Sequence, residues 1–481
     1  MPVQAVPGSV LAAGALNLDA PLELEVSRAG RDSAIARIIH LVEQAQARKA
    51  PIQGLADRVA GRFCLGVLLL ALATLLFWWL AAPRIWPVLP ALQAHGGHAG
   101  HGSFGAAAAD PLALGMQLAI AVLVVACPCA LGLATPTAIA VGCGRAARAG
   151  LLFRGGDAIE TASELGAVLF DKTGTLTLGR PRVTALAPLP FTSPERLLQL
   201  AASLETSTRH PLAFALVQAA RERELALLPA SDCRTAAGQG VCGELDGHPC
   251  RVGRLSWVSP CPPPELLAEQ ERLEADGATV LAVSWQGRPL GLVAVQDQPR
   301  PDAEPLLRHL REQGLGLGLL SGDRRSAVER LGQRLGFRAA DLAWELSPEQ
   351  KWERILAWRE EAGAPVAMVG DGINDAPALA AADLGIAVGT GTEVARETAA
   401  LVVMGDRLEA IATALQLARS TMAKVRQNLV WAFGYNLLVL PIAAGVLLPG
   451  FGILLTPPLA ALLMALSSIT VVVNALLLKD G

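Results

Sequence analysis

Hydrophobic positions along this chain follow two regimes: long uncharged runs near both ends, and short bursts between polar residues in the middle. Phe63 to Ala82 is apolar and uncharged, long enough to cross a bilayer as a helix. A second run, Leu112 to Cys143, sits in a stretch with no charge between Asp110 and Arg145, and Pro128 and Pro136 interrupt it. After Arg426 no charge appears until Lys479, which leaves room for two more spans, Leu429 to Leu448 and Ile453 to Leu477, hinged at Pro449-Gly450. Two membrane hairpins are predicted. Trp78 and Trp79 close the first run as interfacial anchors do. Arg58, Arg62, Arg145, Arg148, Lys424, Arg426 and Lys479 flank four span ends, and the positive-inside rule makes that face cytoplasmic. The middle of the chain is then cytoplasmic, and the loop from Pro83 to Asp110 lies outside.

Between about Gly150 and Arg426 the composition is that of a soluble protein. Three apolar runs there share one design. Ala167-Val168-Leu169-Phe170 leads into Asp171-Lys172-Thr173-Gly174-Thr175-Leu176-Thr177; Leu317-Gly318-Leu319-Leu320 leads into Ser321-Gly322-Asp323; Val366-Ala367-Met368-Val369 leads into Gly370-Asp371-Gly372-Ile373-Asn374-Asp375. Such runs read as buried strands of a parallel sheet, whose ligands bind at the carboxyl ends of the strands. Asp171, Asp323, Asp371 and Asp375 are thereby delivered to one rim, where they repel one another unless a cation sits among them. A single such aspartate would read as a helix cap or a turn; three units with a lysine-threonine loop do not. Arg180 to Val295 forms an insert with its own strand signals and a seam at Pro260-Cys261-Pro262-Pro263-Pro264. At the front, turn and strand signals precede an amphipathic helix from Asp32 to Lys49.

Composition narrows the classes. A chain of 481 residues exceeds a single core, so about three domains are expected. The net charge of −3 argues against a nucleic-acid binder. Eight cysteines without a disulfide-framework spacing read as reduced thiols, and the charged first sixty residues show no cleavable signal peptide. No Walker-type phosphate loop is apparent.

The eleven residues Ala167 to Thr177 resemble the phosphorylation loop of P-type ATPases, within the haloacid-dehalogenase-like phosphotransferases. The resemblance implies a multidomain α-helical membrane protein with cytoplasmic α/β domains. A Rossmann-type phosphorylation domain would carry an inserted α+β nucleotide-binding domain. It divides the chain into the end of an actuator domain and its stalk (1–60), a membrane hairpin (61–149), the phosphorylation domain in two parts (150–179 and 296–426), the insert (180–295) and a last hairpin (427–481). Asp171 would become the aspartyl phosphate, with Lys172, Thr173 and Thr175 around it. Ser321, Gly322 and Asp323 match a threonine-glycine-aspartate element, the serine keeping the hydroxyl. Lys351 would place an ammonium on the phosphate. Asp171, Thr173, Asp371, Asn374 and Asp375 would hold or support Mg²⁺. Glu205, His210, Gly238, Gly240 and Gly253 resemble a nucleotide site for ATP, although Arg209 and Arg254 stand where glutamate and asparagine are usual. Asp297 and Arg300 match a hinge where the chain re-enters the phosphorylation domain, and are counted with the nucleotide-site residues.

Within the second span, Cys127-Pro128-Cys129 sets two thiols about a residue that bends a helix and frees carbonyls. One buried cysteine packs as a small hydrophobe; two about a mid-membrane proline read as ligands for a soft ion such as Cu(I). Polar groups in the last spans, Tyr435-Asn436 and Met464-Ala465-Leu466-Ser467-Ser468, are costly in hydrocarbon and face a bundle interior. Together these elements resemble the copper subclass of heavy-metal P-type ATPases, which implies that Cys127, Cys129, Tyr435, Asn436, Met464 and Ser468 line a Cu(I) transport site, with a copper chaperone as a candidate partner. His95, His98 and His101 are left out of that site. Met1-Pro2-Val3 resembles the residues after the family's threonine-glycine-glutamate loop, so the chain is expected to be the C-terminal part of a pump, open to phosphorylation but poor in turnover. The alternatives are a Zn/Cd pump, a membrane-tethered phosphatase of the same fold, and a copper-binding fragment that does not turn over.

Overall fold

A computed structural model describes residues 25, 50–86, 110–127, 129–208, 210–236, 238–371, 375–389 and 398–478. The expected front domain up to Lys49, the histidine loop, Pro128, Arg209, Asn374 and Lys479 lie outside these residues. The chain divides into two compact units, Leu165–Ala412 and the remainder on either side of it.

In the outer unit the uncharged runs are helical. Among the described residues, three helical stretches are long and apolar enough to cross a membrane: Pro51–Ile85, Pro111–Arg148 and Pro457–Leu476. The first contains α1 (Pro51–Leu76). The second is two helices, α2 (Pro111–Val125) and α3 (Cys129–Arg148), parted at Ala126-Cys127. Pro136 sits inside α3 without ending it, so only one of the two expected interruptions is realised. Small residues let the helices approach closely, as membrane helices require: Ala71, Ala121, Ala443 and Ala460 share one core, and a β-carbon on Gly142 would stand 2.5 Å from Thr421 Oγ1.

Two expectations are corrected here. The third run lies largely within a longer helix, Ala410–Ala443. The turn after it falls at Ala444–Leu447, while Pro449-Gly450 lies within a short helix, Leu448–Phe451. Gly445 adopts a left-handed φ of 85° and lies against the Trp78 ring, whose Nε1 donates to the Ala444 carbonyl at 2.9 Å. Trp78 is therefore a buried fastening rather than an interfacial anchor, while Trp79 is exposed.

The inner unit holds two sheets. Within this unit the first sheet has six strands: β1 (Ala167–Asp171), β8 (Gly316–Leu320), β9 (Leu342–Ala343), β10 (Val366–Gly370), β11 (Leu384–Val388) and β12 (Leu401–Val403). They are parallel, in the order β12-β11-β10-β1-β8-β9. β1 and β10 are buried at every position, as strands covered on both faces must be. Leu169 faces Met368 on one side and Gly318 on the other, so the three apolar runs that end in aspartate turns are neighbours in register. The second sheet is antiparallel, with β2 (Thr177–Pro188), β3 (Ala230–Ala236), β4 (Gly240–Leu245), β5 (His248–Gly253), β6 (Thr279–Trp285) and β7 (Arg288–Pro299) in the order β2-β7-β6-β5-β4-β3. Two helices, α4 (Pro194–Glu205) and α5 (Pro211–Glu222), pack on it through Leu198, Leu204 and Leu216 against Val241, Val252 and Val283.

Candidate functional site

Asp171 ends the central strand β1, with Leu320 of β8 opposite it in register. Its Oδ2 accepts the Thr173 N–H at 2.9 Å, which folds the following residues into a tight turn over the strand end. Gly174 occupies the left-handed region at φ 75°, and a β-carbon there would stand 1.8 Å from Asp371 Oδ2. Only glycine leaves that space, so the turn and the Asp371 carboxylate fit together. A capping box between Ser347 and Gln350 starts the helix α6 (Pro348–Ala362) and sets Lys351 in its first turn. Lys351 Nζ then donates to Asp171 Oδ1 at 2.5 Å and to Asp375 Oδ1 at 2.9 Å, all three side chains being buried. Lys172 pairs with Asp323, drawing the Ser321-Gly322-Asp323 turn beside the nucleophile candidate. Asp323 thus meets Asp171's neighbour rather than Asp171 itself. Thr175 is fully buried, and its Oγ1 has no partner among the described residues.

Charge is unevenly balanced at this rim. Burial, together with the Asp375 charge, pushes Asp171 up to about 6, which Lys351 only partly offsets. Asp371 is likewise pushed up to about 6, by burial and then by Asp375. Burial opposes the Lys351 charge, but the two aspartates beside it hold its pKa above the usual range, so it stays an ammonium. A hard divalent cation fits this excess of carboxylate. Mg²⁺ takes one or two carboxylates and completes its shell with phosphate oxygens and water. Among the described residues no three acidic, histidine or cysteine side chains form a ready-made metal cage.

The other candidates are held in distinct ways. Asp297 fastens the chain after the turn, accepting the Thr177 hydroxyl at 2.5 Å and the Gly179 and Arg180 N–H groups at 3.1 Å each. Arg300 is buried and bonded to Asp406 and Asp302, so its guanidinium is already committed. In the insert, Gly240 and Gly253 are register partners, and a β-carbon on either would stand about 2.1–2.2 Å from the facing backbone. Close strand approach alone demands both glycines. Gly238 takes a left-handed φ of 70° in the preceding turn. Glu205 is buried at the end of α4, where burial raises its pKa. The exposed His210 caps α5, its Nδ1 accepting the Leu212 N–H at 3.2 Å.

In the outer unit, the break between α2 and α3 brings the Cα atoms of Cys127 and Cys129 to 5.4 Å, and the two sulfurs form a disulfide. This corrects the reading of every cysteine as a reduced thiol. The backbone turn that aims two thiols at one point also puts them within bonding reach. Asn436 is buried and Tyr435 half-buried, with the tyrosine hydroxyl unpartnered among the described residues. Ser468 donates to the Met464 carbonyl on its own helix, Pro457–Leu476, at 3.4 Å. The hydroxyls of its neighbour Ser467 and of Thr135 on α3 are buried without partners among the described residues. Sequence reasoning leaves Ser467 and Thr135 out of the site; their only signal is a hydroxyl inside an apolar run.

Residues 165–383 match the haloacid dehalogenase-like hydrolase family. The chain is 43% identical over 480 residues to the probable copper-transporting ATPase SynA of Synechococcus sp., covering 98% of this chain and 60% of that protein. It is 41% identical over 484 residues to a copper-exporting P-type ATPase of Bacillus subtilis, covering 56% of that protein. It thus spans 60% or less of these curated relatives. Among solved structures, a zinc-transporting PIB-type ATPase in its E2.Pi state superposes with a TM-score of 0.73 at 34% identity, over 94% of this chain and 68% of that one. The nucleophile turn with its lysine and aspartates, the two sheets and the apolar helices therefore have one common explanation: the chain belongs to the P-type ATPases, in their PIB-type branch.

Proposed function

We propose that this chain carries the catalytic domains and the sulfur-bearing membrane helices of an ATP-driven Cu(I) transporter. In this reading Asp171 attacks the γ-phosphorus of ATP, the bond to the β,γ-bridging oxygen breaks, and ADP leaves. Lys351 neutralises the nucleophile's surroundings and the transferred phosphoryl oxygens; Lys172 and Asp323 hold the neighbouring turn. Asp371 and Asp375, with Asn374, would hold Mg²⁺, which supplies charge neutralisation on the phosphate. The insert, through Glu205, His210, Gly238, Gly240 and Gly253, would bind the adenine end. Asp297 acts as a fastening of the turn. We assign residues 1–60 to the C-terminal part of an actuator domain and its stalk, and the boundaries of the catalytic parts as the sequence pattern sets them.

The observation that carries the chemistry is the contact of one lysine with two buried aspartates at the end of the central strand. Phosphoryl transfer needs an activated acceptor and positioned positive charge, and this arrangement supplies both. Cu(I) is favoured as cargo by the converging sulfurs of Cys127 and Cys129, and no aspartate or lysine lies within Pro457–Leu476 to compensate a divalent ion. Reduction of the disulfide to two thiols is required before metal can bind there. Tyr435, Asn436 and Met464 complete the site, with Ser467 beside Ser468 as a hydroxyl donor. A copper chaperone is the expected source of the ion. The test is γ-labelled ATP: an acid-stable, hydroxylamine-sensitive label must form on the chain and vanish in Asp171→Asn. Labelling that survives in Asp171→Asn refutes the assignment. A zinc reading is favoured by the solved zinc-transporting structure; labelling stimulated by Zn²⁺ and not by Cu(I) would decide for it.

A further inference from the structure

Arg300 lies between the nucleophile turn and the root of the long helix Ala410–Ala443. Its backbone N–H donates to the carbonyl of Leu176, the last residue of the turn that begins beside Asp171, at 2.9 Å. The pairing of Thr177 with Pro299 fixes that approach. On its other side, the guanidinium grips the segment leading into the helix. Nη1 donates to Asp406 Oδ1 at 2.6 Å, Nη2 to the Asp406 main-chain carbonyl, and Nε to Asp302 Oδ1 at 3.3 Å. Asp302 in turn accepts the N–H of the buried Leu408 through Oδ2 at 2.6 Å. Two residues before Ala410, the main chain is thus held by one arginine and one aspartate from a three-residue segment.

The chemistry of this contact differs from that of a surface ion pair. A guanidinium is planar and always charged, and its fork fixes direction as well as distance. Here the guanidinium is buried although the Asp406 side chain is 77% exposed, and it holds a backbone carbonyl as well as that carboxylate. The Leu176 carbonyl is thereby linked to Asp406 and Leu408 through Arg300 and Asp302. A lysine could hold the charge but not the fork.

We propose that Arg300 is a positioning residue that couples the phosphorylation turn to the start of the Ala410–Ala443 helix. The proposal rests on Asp171 as phosphoryl acceptor. It gives the hinge suggested by its motif a definite mechanical role, in place of the nucleotide-site role with which Arg300 was counted.

Hydrogen-exchange mass spectrometry on the full chain in detergent tests it in two stages. Without ligand, Asp406→Asn and Arg300→Met should each speed exchange at least tenfold both at 173–179 and at 406–412, with Arg300→Lys recovering only part of the protection. Acceleration confined to 406–412 after Asp406→Asn breaks the link. Then trifluoroberyllate with Mg²⁺, a mimic of an aspartyl phosphate, is added. Protection should change at 173–179 and at 406–412 in the unaltered chain, but only at 173–179 in Arg300→Met. A response at 406–412 that persists in Arg300→Met overturns the coupling, whereas no response at 173–179 in the unaltered chain overturns the reading of Asp171 on which it rests. A merely structural role for Arg300 would lower overall protection without severing one response from the other.

Discussion

The two units differ at the polar groups of their candidate sites. In the inner unit, Asp171 and Asp375 are buried and each bonded to the buried Lys351, although the Thr175 hydroxyl beside them is buried without a partner among the described residues. In the outer unit, the hydroxyls of Thr135, Tyr435 and Ser467 are buried without partners among the described residues, and the sulfurs of Cys127 and Cys129 have only each other. An unmade hydrogen bond in a low dielectric costs about 1–3 kcal/mol, so the second arrangement is the less complete. The difference matches the two tasks proposed. A nucleophile must be held before its substrate arrives, whereas a site that loads and releases an ion must leave its donors unsatisfied by protein.

The comparison can be broken most decisively at the sulfurs. Cys127→Ser with Cys129→Ser should abolish Cu(I) binding to the reduced chain, and the oxidised unaltered chain should bind none until a phosphine reductant is added; competition with a chromophoric Cu(I) chelator measures both. Retained binding in the double variant would show that the outer unit is not a sulfur site. Next in size, Lys351→Met leaves two buried carboxylates facing each other. Labelling from ATP should fall about 10²–10³-fold, and the chain should lose about 3 kcal/mol of stability, the usual scale for breaking a buried pair. Gly174→Ala should cost about 1–2 kcal/mol from the left-handed backbone alone and should also displace Asp371, lowering labelling more than the melting temperature suggests.

The pH dependence sharpens the same contrast. Asp171 and Asp371 are both raised to about 6, above the ordinary carboxylate value of about 4. The folded chain therefore binds protons there that the unfolded chain releases. These two groups favour the fold fully below about pH 4, and that contribution is lost as pH rises through about 6. Labelling should run the other way, since the nucleophile must be ionised, with its midpoint at or below about pH 6 because Mg²⁺ among the carboxylates favours their ionised form. A labelling profile flat down to pH 4.5 would contradict it. The smallest effect is expected at the serines: Ser467→Ala should weaken Cu(I) binding about threefold to tenfold, on the scale of one hydrogen bond, while Ser468→Ala should change it less than twofold.

Much of the architecture is legible in the residues themselves. The period and length of apolar runs mark the strands β1, β8 and β10 and most of the membrane helices, because continuous burial leaves a continuous signal. The aspartates at the strand ends and the Lys-Thr-Gly-Thr turn announce phosphoryl chemistry, because loops at the carboxyl end of a parallel sheet carry ligand sites regardless of the rest. Cys-Pro-Cys announces the helix break, which falls at Ala126-Cys127.

What sequence could not supply is which partner each polar group finds. Lys351 is 180 residues from Asp171, and only the packing of α6 against the sheet brings them to 2.5 Å. Arg300 reads as a hinge by motif, but its ties to Asp406 and Asp302 are not written there, since a guanidinium takes whichever carboxylate the fold presents. Of two adjacent serines, helix phase turns Ser467 inward and leaves Ser468 bonded to its own helix. Trp78 reads as interfacial, but the chain turn at Gly445 folds against it. Local pattern determined the elements and their chemistry; long-range contact alone decided the pairings, because a hydrogen bond or ion pair depends on distances that no neighbouring residues encode.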